Sequence, residues 1–215
     1  MAGIGTLREG SLHAALKQWA SRTGDRFEQR VDGFIVDILR GDDVVEIQTG
    51  NFAALRRKLA VLTTTRRVHL VHPVAVQKWI VRGSQRRRSP RRGELFSLFE
   101  ELVSIPEIAA RDTFSLEIVL ISEEEIRRPS RRRGRWSVVD RRLLEVHDSG
   151  LFFGPGDYAS LLPDVLQERF TNTDLAGALK RPQWLAEKMT YALRKMGAIA
   201  VAGQRGRANV YRRAA

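Results

Sequence analysis

The sequence predicts an α/β protein, and three features of its apolar segments support this fold class. Two short apolar runs, 34–39 and 44–47, flank a Gly-Asp pair, which is typical of a tight β-hairpin. An amphipathic helical pattern follows over 51–62, and the next apolar run, 68–76, has the length of a strand. A strand, a helix and a second strand in this order favour a crossover connection, and therefore a sheet covered by helices.

The hairpin brings two acidic residues together. If Gly41 and Asp42 form its two-residue loop, Asp37 lies directly opposite Glu46. Opposed side chains lie about 5 Å apart on one face of a sheet, where two carboxylates repel each other unless a cation lies between them. Gln48 points to the same face because strand side chains alternate. The hairpin therefore predicts a site for a divalent metal.

An Asp on one strand followed by Glu-Ile-Gln on the next resembles the motif of the PD-(D/E)xK nuclease superfamily, in the Glu-x-Gln form of its competence-associated, CoiA-like relatives. The resemblance covers roughly residues 1–80. It implies a restriction-endonuclease-like mixed sheet flanked by helices, in which Asp37 and Glu46 hold Mg²⁺ (or Mn²⁺) and Gln48 orients the attacking water. Because a Gln amide lacks the charge of the usual Lys, a core without catalytic activity is an open alternative.

Two further acids near the hairpin have alternative interpretations. Glu9 opens the first amphipathic helix, where it is either an ordinary first-turn acid or, as the resemblance implies, another member of the catalytic set. Asp32 is the alternative to Asp37 as the motif aspartate. Using Asp32 would centre the hairpin on apolar residues near Leu39, which is poor turn chemistry, so Asp37 is preferred.

The charge balance indicates a polyanionic partner. The formal net charge is +12 and the pI is about 11.0, and most of the excess lies beyond residue 60. Two arginine-rich blocks interrupted by Ser, Gly and Pro predict loops, which either follow DNA phosphates or are simply solvated. The blocks comprise Arg82, Arg86, Arg87, Arg88, Arg91 and Arg92, and then Arg127, Arg128, Arg131, Arg132, Arg133 and Arg135.

The same composition excludes several classes of site. The chain has no cysteine, which excludes disulfides and thiolate metal sites and is typical of a reducing cytoplasm. The four histidines lack the spacing of zinc ligands. No apolar run approaches the roughly 18 residues of a membrane span, and the first residues lack the pattern of a signal peptide. We therefore expect a cytoplasmic protein without a membrane partner.

The last third of the chain predicts three helical segments followed by a β-ribbon. A helix over 171–179 and a longer one from Pro182 to Met196 precede strands over 198–201 and 209–211. This order resembles a winged helix-turn-helix domain over 157–213, in which the longer helix enters the major groove of DNA. The expected DNA contacts are Arg181, Gln183, Lys188, Arg194, Arg205 and Arg207, and Trp184 is expected in the core.

These patterns together predict a nuclease-like domain over 1–150 and a winged helix over 157–213, joined by a glycine-rich linker over 150–156. The expected function is that of a metal-dependent DNA endonuclease that hydrolyses phosphodiester bonds. The alternatives are a DNA-binding regulator with a catalytically inactive nuclease-like core, and a scaffold whose winged helix docks a protein. The sequence does not separate DNA from RNA. A homodimer is plausible because one site cuts one strand, but no segment demonstrates it.

Overall fold

The computed structural model describes residues 10–130 and 134–214. They form an α/β protein in which a mixed seven-stranded sheet is flanked by helices, so the predicted fold class is confirmed at this level. The strands are β1 Arg26–Val31, β2 Phe34–Arg40, β3 Asp43–Ile47, β4 Val68–Arg82, β5 Gln85–Arg88, β6 Phe114–Pro129, β7 Trp136–Phe152, β8 Ile199–Arg205 and β9 Ala208–Arg213. The helices are α1 Ser11–Ala20, α2 Phe52–Thr65, α3 Phe99–Leu102, α4 Pro106–Ala109, α5 Pro155–Ala159, α6 Asn172–Leu179 and α7 Gln183–Met196.

The sheet has the strand order β1-β2-β3-β4-β6-β7, with β5 paired to β4, and β8 and β9 form a separate ribbon. The chain divides into two compact units. The first contains the described residues up to 50, together with 69–95 and 117–150, and the second contains 51–68, 96–116 and the described residues from 151. In the part of the chain that the structure describes, no helix is both long and apolar enough to cross a membrane.

In the first unit, α1 packs on the sheet through an apolar core. Leu12 and Leu16 lie one turn apart on the same face of α1, and both are buried. They pack with side chains of β2, β3, β4 and β6, which are Ile38, Val45, Ile47, Val71, Val119 and Ile121. Asp140 of β7 accepts hydrogen bonds from the backbone N–H and the hydroxyl of Ser11, at 3.1 and 2.6 Å. A carboxylate at this end of a helix satisfies N–H groups that the helix leaves unpaired, so β7 fixes the start of α1.

In the second unit, α7 is the central helix. Its apolar side chains recur every three or four residues, so they form one buried face. That face comprises Leu185, Ala186, Met189, Ala192, Leu193 and Met196. It contacts α3, α4, α5, α6 and β8. The helix ends at Gly197, whose φ of 83° suits a glycine C-cap.

Helix α6 is fixed at its start by side-chain and backbone hydrogen bonds. The Thr171 hydroxyl accepts the N–H of Asp174, and the Asp174 carboxylate accepts the N–H of Thr171, which is a capping box. Just before it, the backbones of Phe170 and Tyr211 form two reciprocal hydrogen bonds, at 3.0 and 2.8 Å. The start of α6 is therefore tied to β9.

Two predictions about local structure are wrong. The arginines at 86–88 lie in β5 and not in a loop, because their backbone pairs with β4 while their side chains stay exposed. Arg82 likewise lies in β4, and Arg127 and Arg128 lie in β6. The predicted loop residues Arg131, Arg132 and Arg133 lie outside the described residues. The expected linker over 150–156 begins within β7, which continues to Phe152.

The prediction for Trp184 is also wrong. We expected it in the core, but its side chain is 47% exposed. Leu185 and Met189 define the buried face of α7, and Trp184 lies beside that face, with the Lys188 ammonium 5.4 Å from its ring centroid. Apolar character alone did not distinguish a core residue from its exposed neighbour.

Candidate active site

The hairpin has the register that the sequence predicts. Ile38 pairs with Val45 across the turn at 41 and 42, so Asp37 and Glu46 occupy the next opposed position. Asp32 instead lies in the turn between β1 and β2, with a left-handed backbone at φ 47°. The register therefore favours Asp37 over Asp32 as the aspartate opposite Glu46.

The carboxylates of Asp37 and Glu46 each accept a hydrogen bond from a backbone N–H of the opposite strand. The Asp37 N–H donates to Glu46 Oε1 at 3.3 Å, and the Ile47 N–H donates to Asp37 Oδ2 at 2.8 Å. The regular backbone pairing of β2 with β3 ends at the preceding pair, Ile38 and Val45. Each carboxylate is therefore held by the opposite strand, and the structure brings these two predicted site residues together.

Strand β1, which pairs with β2 on the side away from β3, has an unusual backbone at the residue opposite Asp37. Its neighbours in β1 pair with the neighbours of Asp37 in β2, so Glu28 lies across from Asp37. Glu28 has φ 52°, a conformation that residues other than glycine adopt rarely and that costs on the order of 1 kcal/mol or more. Its carboxylate forms an ion pair with Lys17 Nζ at 3.3 Å. Backbone strain of this kind is concentrated at functional sites, so it supports a site here.

A cleft of about 610 Å³ opens beside Asp37. His13 and Lys17, one turn apart on α1, both line it, and His13 Nε2 lies 3.2 Å from Asp37 Oδ1. The cleft therefore combines carboxylates, an ammonium and an imidazole. Its lining consists of Gly10, Leu12, His13, Lys17, Glu28, Ile35, Asp37, Thr49, Val138, Val139, Asp140 and Arg141.

The other predicted catalytic residues are placed differently. Glu46 is only 2% exposed, and neither it nor Gln48 is among the described residues that line the cleft. The Gln48 amide nitrogen donates to the Gly50 carbonyl, and the Gln48 carbonyl lies 2.7 Å from His72 Nδ1. Glu9 lies outside the described residues. Over 10–130 and 134–214, no three His, Cys, Asp or Glu side chains gather in a metal-binding group.

A second cleft of about 510 Å³ shares Asp140 with the first and is also lined by Arg128 and Arg142. Burial raises the pKa of Asp140, but the hydrogen bonds from Ser11 and the Arg141 N–H, together with the charge of Arg142, outweigh this effect and hold the pKa below its ordinary value of 3.8. Asp140 is therefore ionised at neutral pH, with two arginines close to it. The second cleft of the first unit is therefore lined by both acidic and basic side chains.

The residues predicted to contact DNA lie at or near α7 and on the β8–β9 ribbon. They are Arg181, Gln183, Lys188, Arg194, Arg205 and Arg207, and all are exposed except Lys188, which is half-buried. On the ribbon, Arg205 Nη1 pairs with Asp174 Oδ2 at 3.4 Å. Most of these side chains are therefore accessible to a ligand.

Lys17, Glu28 and Arg141 were missed by the sequence analysis. The spacing of His13 and Lys17 was the available signal, because residues four apart share a helix face. Glu28 gave no signal, since an acid on an edge strand is usually solvated. Arg141 reaches the cleft only through the pairing of β7 with β6, which joins distant parts of the chain.

The fold and the cleft define an α/β protein with a pair of acids on a hairpin at its candidate site. The chain belongs to the family described as a domain of unknown function, DUF8091, whose model matches residues 10–152. It is similar to a protein described as uncharacterized from Treponema pallidum (strain Nichols), with 34% identity over 224 residues that cover 98% of this chain and 87% of the relative. No solved structure matches the chain. The family range includes α1, the hairpin and both clefts.

Proposed function

We propose that this protein is a metal-dependent endonuclease that hydrolyses phosphodiester bonds in DNA. The observation that carries the proposal is the reciprocal arrangement of Asp37 and Glu46, in which each carboxylate accepts an N–H from the opposite strand beside a cleft. A first helix, an acidic hairpin, a helix and a strand also follow one another in the order that the PD-(D/E)xK resemblance implies. The finer restriction-endonuclease-like fold is part of this proposal.

The donors present suit a hard divalent cation. Asp37 and Glu46 would supply carboxylate oxygens, the ligands that Mg²⁺ and Mn²⁺ prefer. Glu46 is nearly inaccessible to solvent, and a buried carboxylate is expensive to ionise without a compensating positive charge. A cation held there would lower the pKa of a bound water and neutralise charge on the scissile phosphate.

The cleft's own side chains would bind the substrate phosphate. The neutral Gln48 amide stands where the motif usually has a charged Lys, and the Lys17 ammonium would supply the positive charge instead. The ion pair of Lys17 with Glu28 keeps this ammonium in the cleft. His13 contacts Asp37 and would hold the orientation of that carboxylate. Gln48 would orient the attacking water, as the resemblance implies, although its amide nitrogen also donates to the backbone.

The DNA-binding part of the proposal is a winged helix formed by α5, α6, α7 and the β8–β9 ribbon. Their order along the chain agrees with the resemblance, and the exposed polar residues of α7 would enter the major groove. Arg205 and Arg207 at the ribbon tip would contact phosphates. The net charge of +12 supports a polyanionic partner.

Cleavage of supercoiled plasmid and of branched DNA with Mg²⁺ or Mn²⁺ tests the proposal. Glu46→Gln keeps the size of the side chain and removes its charge. Asp42→Asn is the matched control, because Asp42 is an exposed turn residue of the same hairpin. We expect the control to cleave as the wild type does and Glu46→Gln to lose activity on the order of 100-fold. Equal cleavage by the wild type and Glu46→Gln would overturn the assignment.

A DNA-binding regulator with an inactive core is the second candidate. It is favoured by the neutral Gln48, whose amide nitrogen is engaged by the Gly50 carbonyl. A regulator would bind DNA without cleaving it, and divalent metal would leave its melting temperature unchanged. Dimerisation stays a prediction of the endonuclease proposal only, because two single-site subunits would be needed to cut both strands.

A further inference from the structure

We propose that Arg141 binds the phosphodiester that enters the first cleft, and that exposed apolar side chains of the same cleft contact the adjoining nucleoside. The cleft of about 610 Å³ has the size of a pocket for one small ligand. The inference rests on the proposed function for its choice of substrate, because it assigns one nucleotide unit of the DNA to the cleft beside Asp37. All the residues involved lie in the first unit.

The Arg141 side chain is held beside the end of strand β3. Its Nη2 donates to the carbonyl of Thr49 at 3.3 Å, and Thr49 follows the motif glutamate, Glu46, by three residues. A guanidinium has five N–H donors, and within the described part of the chain this one donates a hydrogen bond to Thr49 alone. The remaining donors can therefore form the paired hydrogen bonds that a phosphate accepts from an arginine.

A buried carboxylate attracts this guanidinium without neutralising it fully. Arg141 Nη1 lies 3.9 Å from Glu123 Oε2, which is an ion pair but is too long for a hydrogen bond. The Glu123 side chain is 2% exposed, and its other oxygen lies closer to a second cation, at 2.9 Å from Lys78 Nζ. Lys78 and Arg127 also pair with Glu125, so three cations share two carboxylates and one positive charge is left over.

The other charged side chains that line the cleft are each bound by a nearby partner. The pairs are Lys17 with Glu28 at 3.3 Å, His13 with Asp37 at 3.2 Å, and Asp140 with the N–H and the hydroxyl of Ser11 at 3.1 and 2.6 Å. Arg141 is therefore the cation of the described lining whose charge is least compensated. An anionic group that enters the cleft should bind to it.

Apolar side chains line the same cleft and are exposed. Ile35 is 62% exposed, and Val138 and Val139 are each 50% exposed. Ile35 precedes Asp37 by two residues on β2, so the two side chains lie on the same side of the strand. An inorganic phosphate would leave these surfaces in water, whereas a nucleoside next to the phosphate would cover them, which is favourable in proportion to the apolar area buried. An arginine beside an apolar wall therefore fits a nucleotide unit better than an inorganic anion.

Binding of the dinucleotide d(TpT) in the absence of divalent metal tests this assignment without involving cleavage. The full chain is titrated with d(TpT), with inorganic phosphate and with thymidine in EDTA, and each Kd is measured from NMR chemical shifts of the protein. The variants are Arg141→Gln, Arg141→Lys and Ile35→Ser. Arg57→Gln on α2 is the matched control, because Arg57 is exposed and lies in the second unit.

We expect the wild type and the control to bind d(TpT) roughly tenfold more tightly than phosphate or thymidine, because d(TpT) makes both sets of contacts. Arg141→Gln should weaken d(TpT) binding roughly tenfold and leave thymidine binding unchanged, because it removes charge-assisted hydrogen bonds to the phosphate. Arg141→Lys should restore part of this loss, since an ammonium keeps the charge but lacks the planar fork. Ile35→Ser should weaken binding of d(TpT) and thymidine roughly fivefold and leave phosphate binding unchanged.

The inference is overturned if either Arg141 variant binds d(TpT) as tightly as the wild type does, or if phosphate alone binds as tightly as d(TpT). Arg141→Lys decides the question if Arg141→Gln does not fold. A protein that binds d(TpT) through Arg141 but cleaves no DNA would support this inference and overturn only the endonuclease proposal. Metal-dependent cleavage by a protein whose Arg141→Gln variant binds d(TpT) normally would overturn this inference alone.

Discussion

The backbone N–H of Asp37 donates to the Glu46 carboxylate at 3.3 Å, and Asp37 in turn accepts the N–H of Ile47 at 2.8 Å. The two acids are therefore fixed by opposite strands and do not depend on a cation for their relative position. A site that is ordered beforehand loses little conformational entropy when a ligand binds. We expect the pair to act as one unit, so that loss of either carboxylate removes the function of both.

The first prediction concerns metal binding. Wild-type protein should melt about 3 °C or more higher when Mn²⁺ is present at ten times its Kd, because a ligand that binds only the folded state stabilises it. Glu46→Gln should lose this increase, and Asp42→Asn should retain it. Differential scanning fluorimetry with and without EDTA measures the effect. A metal-induced increase of equal size in Glu46→Gln would place the cation elsewhere.

The second prediction separates Lys17 from Gln48. Since Lys17 lines the cleft and Gln48 donates to the backbone, Lys17→Met should lower the single-turnover cleavage rate on the order of 100-fold, and Lys17→Arg should restore part of it. Gln48→Ala should lower the rate by less. Gln18→Ala is the control, because Gln18 is exposed next to Lys17 on α1. The reverse ranking would return the catalytic role to Gln48.

The third prediction concerns the ribbon. Arg205→Ala combined with Arg207→Ala should weaken binding of duplex DNA and reduce the salt dependence, the slope of log K against log salt, by about 1.8, because each duplex phosphate contact contributes about 0.9. The exposed pair Arg56→Ala and Arg57→Ala should leave the slope unchanged. Fluorescence anisotropy at several salt concentrations measures both. If the ribbon variant binds duplex as tightly as the wild type does, the C-terminal module serves protein contacts instead.

Local chemistry explains which parts of the fold were predictable. A Gly-Asp turn between alternating strands determines the register that places Asp37 opposite Glu46, and all of these signals lie within about a dozen residues. The cleft is different, because α1 and β7 contribute to it from opposite ends of the family domain. The strained backbone of Glu28 is also invisible in sequence, since it depends on the strand beside it.

The arginine-rich segments show the limit of composition as evidence. Residues 83–88 are exposed, but charge and turn residues suggested a loop where a hairpin forms. Strand pairing requires only backbone groups, and exposed arginines do not prevent it. The contact of Arg86 with Trp79 arises from that pairing, so it could not be inferred from the order of residues alone.

The last prediction concerns acid stability near the hairpin. Arg40 donates from Nε and Nη2 to the two carboxylate oxygens of Asp25, at 3.0 and 2.8 Å. These hydrogen bonds hold the pKa of Asp25 below its ordinary value of 3.8, although burial opposes them. A carboxyl with a lowered pKa stabilises the folded state above its unfolded pKa, and this contribution is lost as the pH falls through the folded value.

Asp25→Asn should therefore reduce the free energy of unfolding by about 1.5–3 kcal/mol at pH 7, the range for a hydrogen bond to a charged group. The difference between variant and wild type should begin to shrink below pH 3.8, where the unfolded chain starts to bind a proton at Asp25. It should be lost once the pH falls below the lowered folded pKa, because the folded carboxyl is then protonated and loses its ion pair as well. Urea titrations at pH 7 and near pH 3 measure this, with the exposed Asp164→Asn as the control. A difference that stays constant across this range would show that Asp25 stabilises the fold through its shape and neutral hydrogen bonds, and that its charge contributes nothing.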